Sequence, residues 1–535
     1  MKVLVIGLDA ATMDLIEPWA QAGHLPVLAQ LMQQGTSARL LSTPNMHSAS
    51  AWTSILTGLN PGRHGLFVFS DRDFATGKQL FFKGGDRQGE LISSHLARHK
   101  LTSGFVNIPM TYPANHEEGG FVVSGLDAPS LNEKAFSPRK LRSELLNLFP
   151  KYHFSPPGLG DLMRSGCVEE AIAAWINLTE TQTAVAEYLI TNRPVDFFMT
   201  VYTASDWAGH ILWKSWEVSP QKNPLLDIYR ALDAAAGRLL RLVNPQTQVY
   251  VISDHGMGRH TGASYQLAEW LENKGYMVRN KRPQARRSFV KASTKAAKAV
   301  LPASLREQVK ARLGEDRVER LQAAEKDSFY SSIDWSRTSA YSEPGRHVIN
   351  INLEGRNEGG WIKPSEYADI CSRIVDDLHG WIDDRGVKLV ERVAQRDEVY
   401  AGPFTARASD LYVYWNVQAD AGAPPQEVQD RGFWWSGDHR PEGILIAKGP
   451  GIKSDTVVAS PCVYDLVPTL MYGAEQQVPD KLDGRVIKHL FTDEFTAAHP
   501  LKFGDEAALG RKDKTLLSPE EEQMVEEKLR GLGYI

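Results

Sequence analysis

Five stretches of the chain place Asp, His or Ser at the end of a short apolar run or at the start of a helical pattern. Asp9 closes the run Val3 to Leu8. Asp206 and His210 follow Phe197 to Tyr202 and stand four residues apart, so a helical turn would aim both side chains at one point. Asp254 and His255 lie in Ser253-Asp254-His255-Gly256, directly after Val249 to Ile252. His439 lies in Gly437-Asp438-His439-Arg440, a segment that leads into an apolar run from Gly443. The fifth stretch begins polar at His47-Ser48-Ala49-Ser50, becomes helical, and stops at the turn Asn60-Pro61-Gly62. Singly, each has an ordinary explanation: Asp9 or Ser48 can cap a helix, and a lone histidine is more often a hydrogen-bonded structural residue than a ligand. Together, three carboxylates and three imidazoles supply hard oxygen and borderline nitrogen donors. That mixture suits zinc or another divalent first-row ion, and its size suits two ions. Two ions can hold the attacking and leaving oxygens of an in-line displacement at phosphorus. Ser48 is the expected nucleophile, with Ser50 and Thr53 as fallbacks. A cation stabilises its alkoxide, and a helix N-terminus beside it offers partial positive charge and free N–H groups. The segment has no GxSxG elbow, so a Ser-His-Asp hydrolase is not indicated.

These residues need a frame. The continuous aliphatic run Val3 to Leu8 reads as a strand covered on both faces, and similar runs at Phe197 to Tyr202, Val249 to Ile252 and Gly443 to Ala447 alternate with helical stretches. The expected fold is α/β, a mostly parallel central sheet sandwiched by helices, with helical insertions. In such sheets ligands gather beyond the carboxyl ends of the strands, where the polar residues above are found. The expected division is a core from 1 to 270 with a helical insertion at about 127–180, a basic helical insertion or cap at 271–335, the second part of the core at 336–492, and a tail at 493–535. Between Lys281 and Arg320 twelve basic residues face four acids, either a solvated helical face or a docking surface for an anion. In the tail, Ser518-Pro519-Glu520-Glu521 reads as a capping box, and Met524, Val525, Leu529 and Leu532 share one helical face. This helix is assigned to packing, with a homo-oligomer contact as its second use.

Composition narrows the partners. The 535 residues are 42% hydrophobic and 23% charged with a net charge of -5, an ordinary globular balance without overall attraction to nucleic acid or anionic membrane. No apolar run approaches the roughly 20 residues needed to cross a bilayer. Three cysteines, Cys167, Cys371 and Cys462, odd in number and far apart, read as buried thiols in a reducing compartment. A cytoplasmic enzyme acting on a small molecule is expected.

The segments VIGLDAAT, SASAWTSILTGLNPGRHGLF, DWAGH, VISDHGMG, GDHRPEGILIAKGPGI and VYDLVPTLMYGAEQQVPDKLDGRVI, in that order, resemble the type I phosphodiesterase/nucleotide pyrophosphatase branch of the alkaline phosphatase superfamily. The resemblance spans roughly residues 1 to 265 and 335 to 490. It implies an alkaline phosphatase-like fold, one metal held by Asp206, His210 and His439, and a second held by Asp9, Asp254 and His255 with Ser48 beside it. It implies two divalent ions, zinc first and manganese as the alternative, and a covalent phosphoserine intermediate. The implied substrate is a small-molecule phosphate ester, a phosphodiester or nucleotide pyrophosphate. Counting back from Thr57-Gly58-Leu59 sets the family nucleophile at Ser48, where the family usually carries threonine. A phosphomonoesterase, phosphonate hydrolase or phosphomutase would share the ligands, and a non-catalytic binding protein would share the fold. A sulfatase does not fit, because Ser48 lacks the Cys/Ser-x-Pro-x-Arg context. His64, in a Gly-flanked turn, is expected to be structural. Asn107, Arg72 and Lys83 could touch phosphate without spacing to choose among them, and His260 and His347 read as background.

Overall fold

The computed structural model describes residues 1–164, 166–280, 329–422, 435–506 and 518–531. The basic stretch expected to form a cap between 281 and 320 lies outside them. Nine strands form the main sheet, in the order Thr456–Val457, Thr36–Leu41, Glu442–Lys448, Gln248–Ile252, Val3–Leu8, Phe197–Tyr202, Ser103–Ile108, Phe121–Ser124, Phe136–Ser137. The five from Gln248–Ile252 to Phe121–Ser124 run parallel, as expected from their continuous apolar runs. Every residue of Val3–Leu8 is buried. Leu4, Ile6 and Leu8 pack with Trp19, Trp175 and Tyr229 on one face, while Val3 and Val5 pack with Trp52, Tyr250 and Leu470 on the other. Both faces are thus covered, by helices that include Val168–Asn192 and Pro224–Leu240 on one side and Ser48–Thr57 and Leu466–Gly473 on the other.

Glu442–Lys448 runs antiparallel to both neighbours. Its first residue therefore stands at the edge where the parallel strands end, and His439 arrives there from outside the sheet. Gly437–Arg440, read in sequence as the lead-in to the run from Gly443, is itself a strand, paired antiparallel with Gly256–Arg259. Glycine makes this ribbon possible. A Cβ on Gly256 would stand 2.0 Å from the Glu442 carbonyl oxygen, and one on Gly258 2.7 Å from Arg440 Nε.

A second, four-stranded sheet orders Ala340–Tyr341, Val348–Ile351, Leu411–Trp415 and Val390–Gln395. Its own apolar cluster includes Trp270, Ile349, Ile374 and Val413. Buried Asp410 ties it together, pairing with both Arg356 and Arg396 and accepting from the Tyr367 hydroxyl. In the tail the capping box forms: Glu521 N–H donates to Ser518 Oγ at 3.2 Å, and Ser518 N–H donates to Glu521 Oε2 at 3.0 Å. Of the apolar face expected there, Val525 and Leu529 are buried, Met524 is 47% exposed, and Leu532 lies outside the described residues. The cysteines are free, but only Cys371 is buried; Cys167 and Cys462 are half-buried. Among the described residues no helix is long and apolar enough to cross a membrane.

Candidate metal centre

The seven side chains singled out in the sequence come together at the carboxyl edge of the sheet. Asp9 follows Val3–Leu8, Asp254 and His255 follow the adjacent strand Gln248–Ile252, and Asp206 sits in the first turn of helix Ala204–Val218 after the strand on the other side. His210 is one turn further along that helix, and His439 comes from the ribbon. They form two groups whose ligand atoms lie within 4.8 Å of one another: Asp206, His210 and His439, and Asp9, Asp254 and His255. In the first, His439 Nε2 is 3.1 Å from Asp206 Oδ1 and 2.9 Å from His210 Nε2. In the second, His255 Nε2 is 3.1 Å from Asp254 Oδ2 and 3.8 Å from Asp9 Oδ1. Ser48 Oγ lies 3.1 Å from His255 Nε2.

The hydrogen bonds fix which ring nitrogens face inward. Each Nδ1 lies against a backbone carbonyl, which can only accept: His210 on Gly437 at 3.0 Å, His255 on Gly256 at 3.2 Å, His439 on Met46 at 2.7 Å. The Nδ1 atoms therefore carry the protons, and three Nε2 atoms turn toward the carboxylates, the arrangement of metal-binding imidazoles. Two such nitrogens 2.9 Å apart repel unless a proton or cation lies between them. Asp9 Oδ1 and Asp254 Oδ2 are buried and accept no hydrogen bond among the described residues. Unsatisfied buried oxygens are costly, and a cation satisfies them. The donor set thus fits divalent metal.

Electrostatics agree. Burial, then the nearby Asp254 and Asp206 charges, pushes the Asp9 carboxyl well above the usual range. Burial pushes Asp254 up to about 7. Burial would raise Asp206 too, but His210 and His439 outweigh it and hold that carboxyl well below the usual range. Burial and the neighbouring His439 hold His255 low. Four carboxylate and imidazole groups under these opposing pressures mark a site built to hold positive charge.

Ser48 begins helix Ser48–Thr57, and the cap is His47, whose Nδ1 accepts the Ala49 N–H at 3.2 Å. Sequence reading missed this because histidine is not a usual N-cap residue. It also missed Trp52, whose Nε1 donates to Asp9 Oδ2 at 3.0 Å. Trp52 lies four residues after Ser48, on the same helical face, so the spacing itself carried the signal. Ser205 Oγ donates to the Asp9 carbonyl at 2.6 Å, joining the strand end to the Asp206 helix. Of the fallbacks, Ser50 bonds to Asn45 and to the His47 carbonyl, and Thr53 donates to the Ala49 carbonyl. His64 is buried, 3.0 Å from Ser54 Oγ, and its Nδ1 accepts the Leu66 N–H. Asn107 accepts from the Tyr152 hydroxyl, Lys83 pairs with Asp86 at 3.5 Å, and Arg72 stacks 4.0 Å from the Tyr330 ring centroid. His260 and His347 are not background: their Nε2 atoms lie 3.7 and 3.2 Å from the Asp438 carboxylate, next to His439 in the chain.

Comparison with known proteins places this architecture. A search of curated protein sequences finds no match. Among solved structures, phosphonoacetate hydrolase from Sinorhizobium meliloti 1021, in complex with phosphonoacetate, aligns with a TM-score of 0.53 at 13% identity, covering 89% of this chain and 95% of that one. An inactive murine ectonucleotide pyrophosphatase/phosphodiesterase 5 with AMP aligns with a TM-score of 0.51 at 10% identity, covering 92% and 100%. At these identities the likeness shows the fold, which is alkaline phosphatase-like as expected. Residues 3–434 match the sequence profile of type I phosphodiesterases and nucleotide pyrophosphatases, most of the chain and six of the seven site residues. The protein is a hydrolase and belongs to the type I phosphodiesterase/nucleotide pyrophosphatase family.

Proposed function

We propose that the protein hydrolyses phosphodiester or nucleotide pyrophosphate bonds with two divalent cations, zinc first and manganese as the alternative, through a phosphoserine at Ser48. The observation that carries this reading is the Ser48 hydroxyl 3.1 Å from His255 Nε2, beside two clusters of inward-facing donors. Asp206, His210 and His439 would hold one cation, and Asp9, Asp254 and His255 the other. When bound, such ions supply Lewis-acid charge that stabilises oxyanions developing around phosphorus.

The chain's own residues do the rest. The hydrogen bonds of His47 and Trp52 fix the start of the helix and hold Ser48 Oγ beside His255 Nε2. The Ala49 N–H is taken by the His47 ring, and the partial positive charge of the helix N-terminus would favour a phosphoryl oxygen beside Ser48. Ser48 Oγ gives up its proton to solvent and forms a bond to phosphorus as the opposite P–O bond breaks, the electron pair leaving with the departing oxygen, which takes a proton from water. Water then attacks phosphorus, the P–Oγ bond breaks, and the serine oxygen takes back a proton, releasing the phosphate product. Burial of the site keeps bulk water away and strengthens each charge interaction. The three free cysteines suit a reducing compartment, and we place the enzyme in the cytoplasm.

The test is purified protein loaded with zinc or manganese separately, assayed for bound metal and for turnover of phosphodiesters, nucleotide pyrophosphates, phosphonates and monoesters. About two ions per chain with turnover of a diester or pyrophosphate is expected. No bound metal and no turnover would overturn the reading and leave a binding protein of the same fold.

A further inference from the structure

The second sheet has two unlike faces. In Leu411–Trp415 the sequence Leu-Tyr-Val-Tyr-Trp alternates, so Leu411, Val413 and Trp415 join that sheet's own apolar cluster while Tyr412 and Tyr414 turn to the other side. There they pack with Phe67 and with Tyr400, which follows the short helix Arg396–Val399. This tyrosine face lies against loop 43–47, the segment that leads into the nucleophile helix. The Tyr414 hydroxyl donates to the Pro44 carbonyl at 2.8 Å, and the Tyr400 hydroxyl donates to Asn45 Oδ1 at 3.1 Å.

Asn45 carries the contact onward. Its Nδ2 donates to the Phe67 carbonyl at 2.5 Å, which orients the amide, and its Oδ1 also accepts from Ser50 Oγ, 2.9 Å away in the first turn of the helix. Met46 comes next, with φ +49°, a left-handed backbone that a side-chain-bearing residue keeps only where its surroundings hold it. Its N–H closes on the Thr43 carbonyl at 2.8 Å, and its carbonyl accepts the His439 Nδ1–H at 2.7 Å. Two residues of backbone therefore join Ser48, which stands beside His255, to His439 of the other donor group.

We propose that Tyr400 and Tyr414 are positioning residues for the nucleophile: their hydroxyls grip consecutive residues of loop 43–47 from the second sheet and so keep Ser48 in register with both donor groups. Each acts through the loop rather than on a metal ligand. A misplacement of about 1 Å at a reacting atom can cost roughly a hundredfold in rate, so two hydroxyls remote from the chemistry carry weight in it. The inference rests on the phosphohydrolase reading above and adds to it a role for the second sheet. If the hydroxyls served packing alone, their loss would lower stability and leave turnover as it was.

Tyr400→Phe and Tyr414→Phe test this, since each removes a hydroxyl and keeps the ring. With metal-loaded full-length protein and bis(p-nitrophenyl) phosphate, the double variant should lower kcat by about 30-fold, with KM within about twofold of wild type and bound metal unchanged. Each single variant should lose about fivefold, which is the reading to use if the double variant does not fold. In the metal-free protein, hydrogen exchange at the Met46 N–H should rise about tenfold in the double variant. Tyr367→Phe is the comparison for plain loss of stability, because the hydroxyl it removes donates to Asp410 at 2.9 Å within the same sheet. It should lower the melting temperature and leave kcat and Met46 exchange unchanged. Variants of Tyr400 and Tyr414 that behave like Tyr367→Phe overturn the inference and leave the phosphohydrolase reading standing. Loss of bound metal together with activity also overturns it, since the loop would then act on the ligands. No turnover of the diester by the wild type overturns that reading and the inference with it.

Discussion

Asp9, Asp254 and His255 stand at the ends of adjacent parallel strands and are fully buried. Asp206, His210 and His439 come from one helical turn and a two-stranded ribbon, and the His439 side chain keeps 15% of its surface exposed. The first group is therefore part of the sheet's own core, fixed by ladder hydrogen bonds and by Trp52 and Ala10 N–H, which bond Asp9 and Asp254. In the second, Asp206 and His210 ride on a helix whose Trp207, Leu212 and Trp213 pack in the main core, and His439 alone reaches in from the ribbon at the surface. The site residues thus divide into a fully buried group beside Ser48 and a group that is more open at His439. Losing a ligand should cost fold in the first and occupancy in the second.

Several substitutions would break or sharpen that contrast. The largest effect is expected from Ser48→Ala: at least about a thousandfold loss of kcat with metal content and melting temperature near wild type, because the cation ligands remain. A variant that loses metal and fold together would show Ser48 to be structural. Asp254→Ala should lose metal from the buried half and lower the melting temperature of the metal-free protein as well, since the buried Ala10 N–H is left without its acceptor. His439→Ala should bring stoichiometry from about two ions to one and cut kcat/KM by about a hundredfold, with little change in metal-free stability. If the two variants exchange these signatures, the division into buried and open halves is wrong. Trp52→Phe removes the indole donor to Asp9 and keeps most of the packing; metal affinity of the buried half should fall about tenfold, read by competition with a chelator.

The smallest effect concerns the support behind the nucleophile helix. Burial, then the Arg87 charge, lowers His64 from 6.5 to about 3, so the folded protein holds the ring neutral. The unfolded chain protonates first as pH falls below 6.5, so this contribution is present above that value and is lost between 6.5 and about 3. At pH 5 the wild type should be about 2 kcal/mol less stable than at pH 7 from this residue alone. His64→Gln should flatten that part of the urea-denaturation profile, and an unchanged slope would assign it elsewhere.

Much of this architecture can be read from the residues. Val3–Leu8 announces itself because a strand buried on both faces needs an uninterrupted apolar run. Asp206 and His210 can be paired from their spacing, which a single helical turn converts into proximity. The strand Gly437–Arg440 cannot be read, since Gly-Asp-His-Arg has little intrinsic strand preference and acquires its form from Gly256–Arg259, far away in the chain. His47 is hidden for a similar reason: its cap depends on a ring nitrogen that type alone does not predict. The contact of His347 with Asp438 is invisible without the fold, because it exists only where the second sheet meets the ribbon. Local chemistry is written in the sequence; chemistry that depends on two sheets meeting is not.

The ribbon also sets a dimension. Met257 is paired with His439, and His255 immediately precedes the opposing strand Gly256–Arg259, so one histidine of each half is held by the same short ladder, with ring centroids 3.8 Å apart. Slipping that ladder by one residue would turn His439 to the other side. The gap between the two ligand groups is therefore a backbone length. Relatives that handle bulkier or smaller groups at phosphorus would be expected to alter the surrounding walls and leave this ruler untouched.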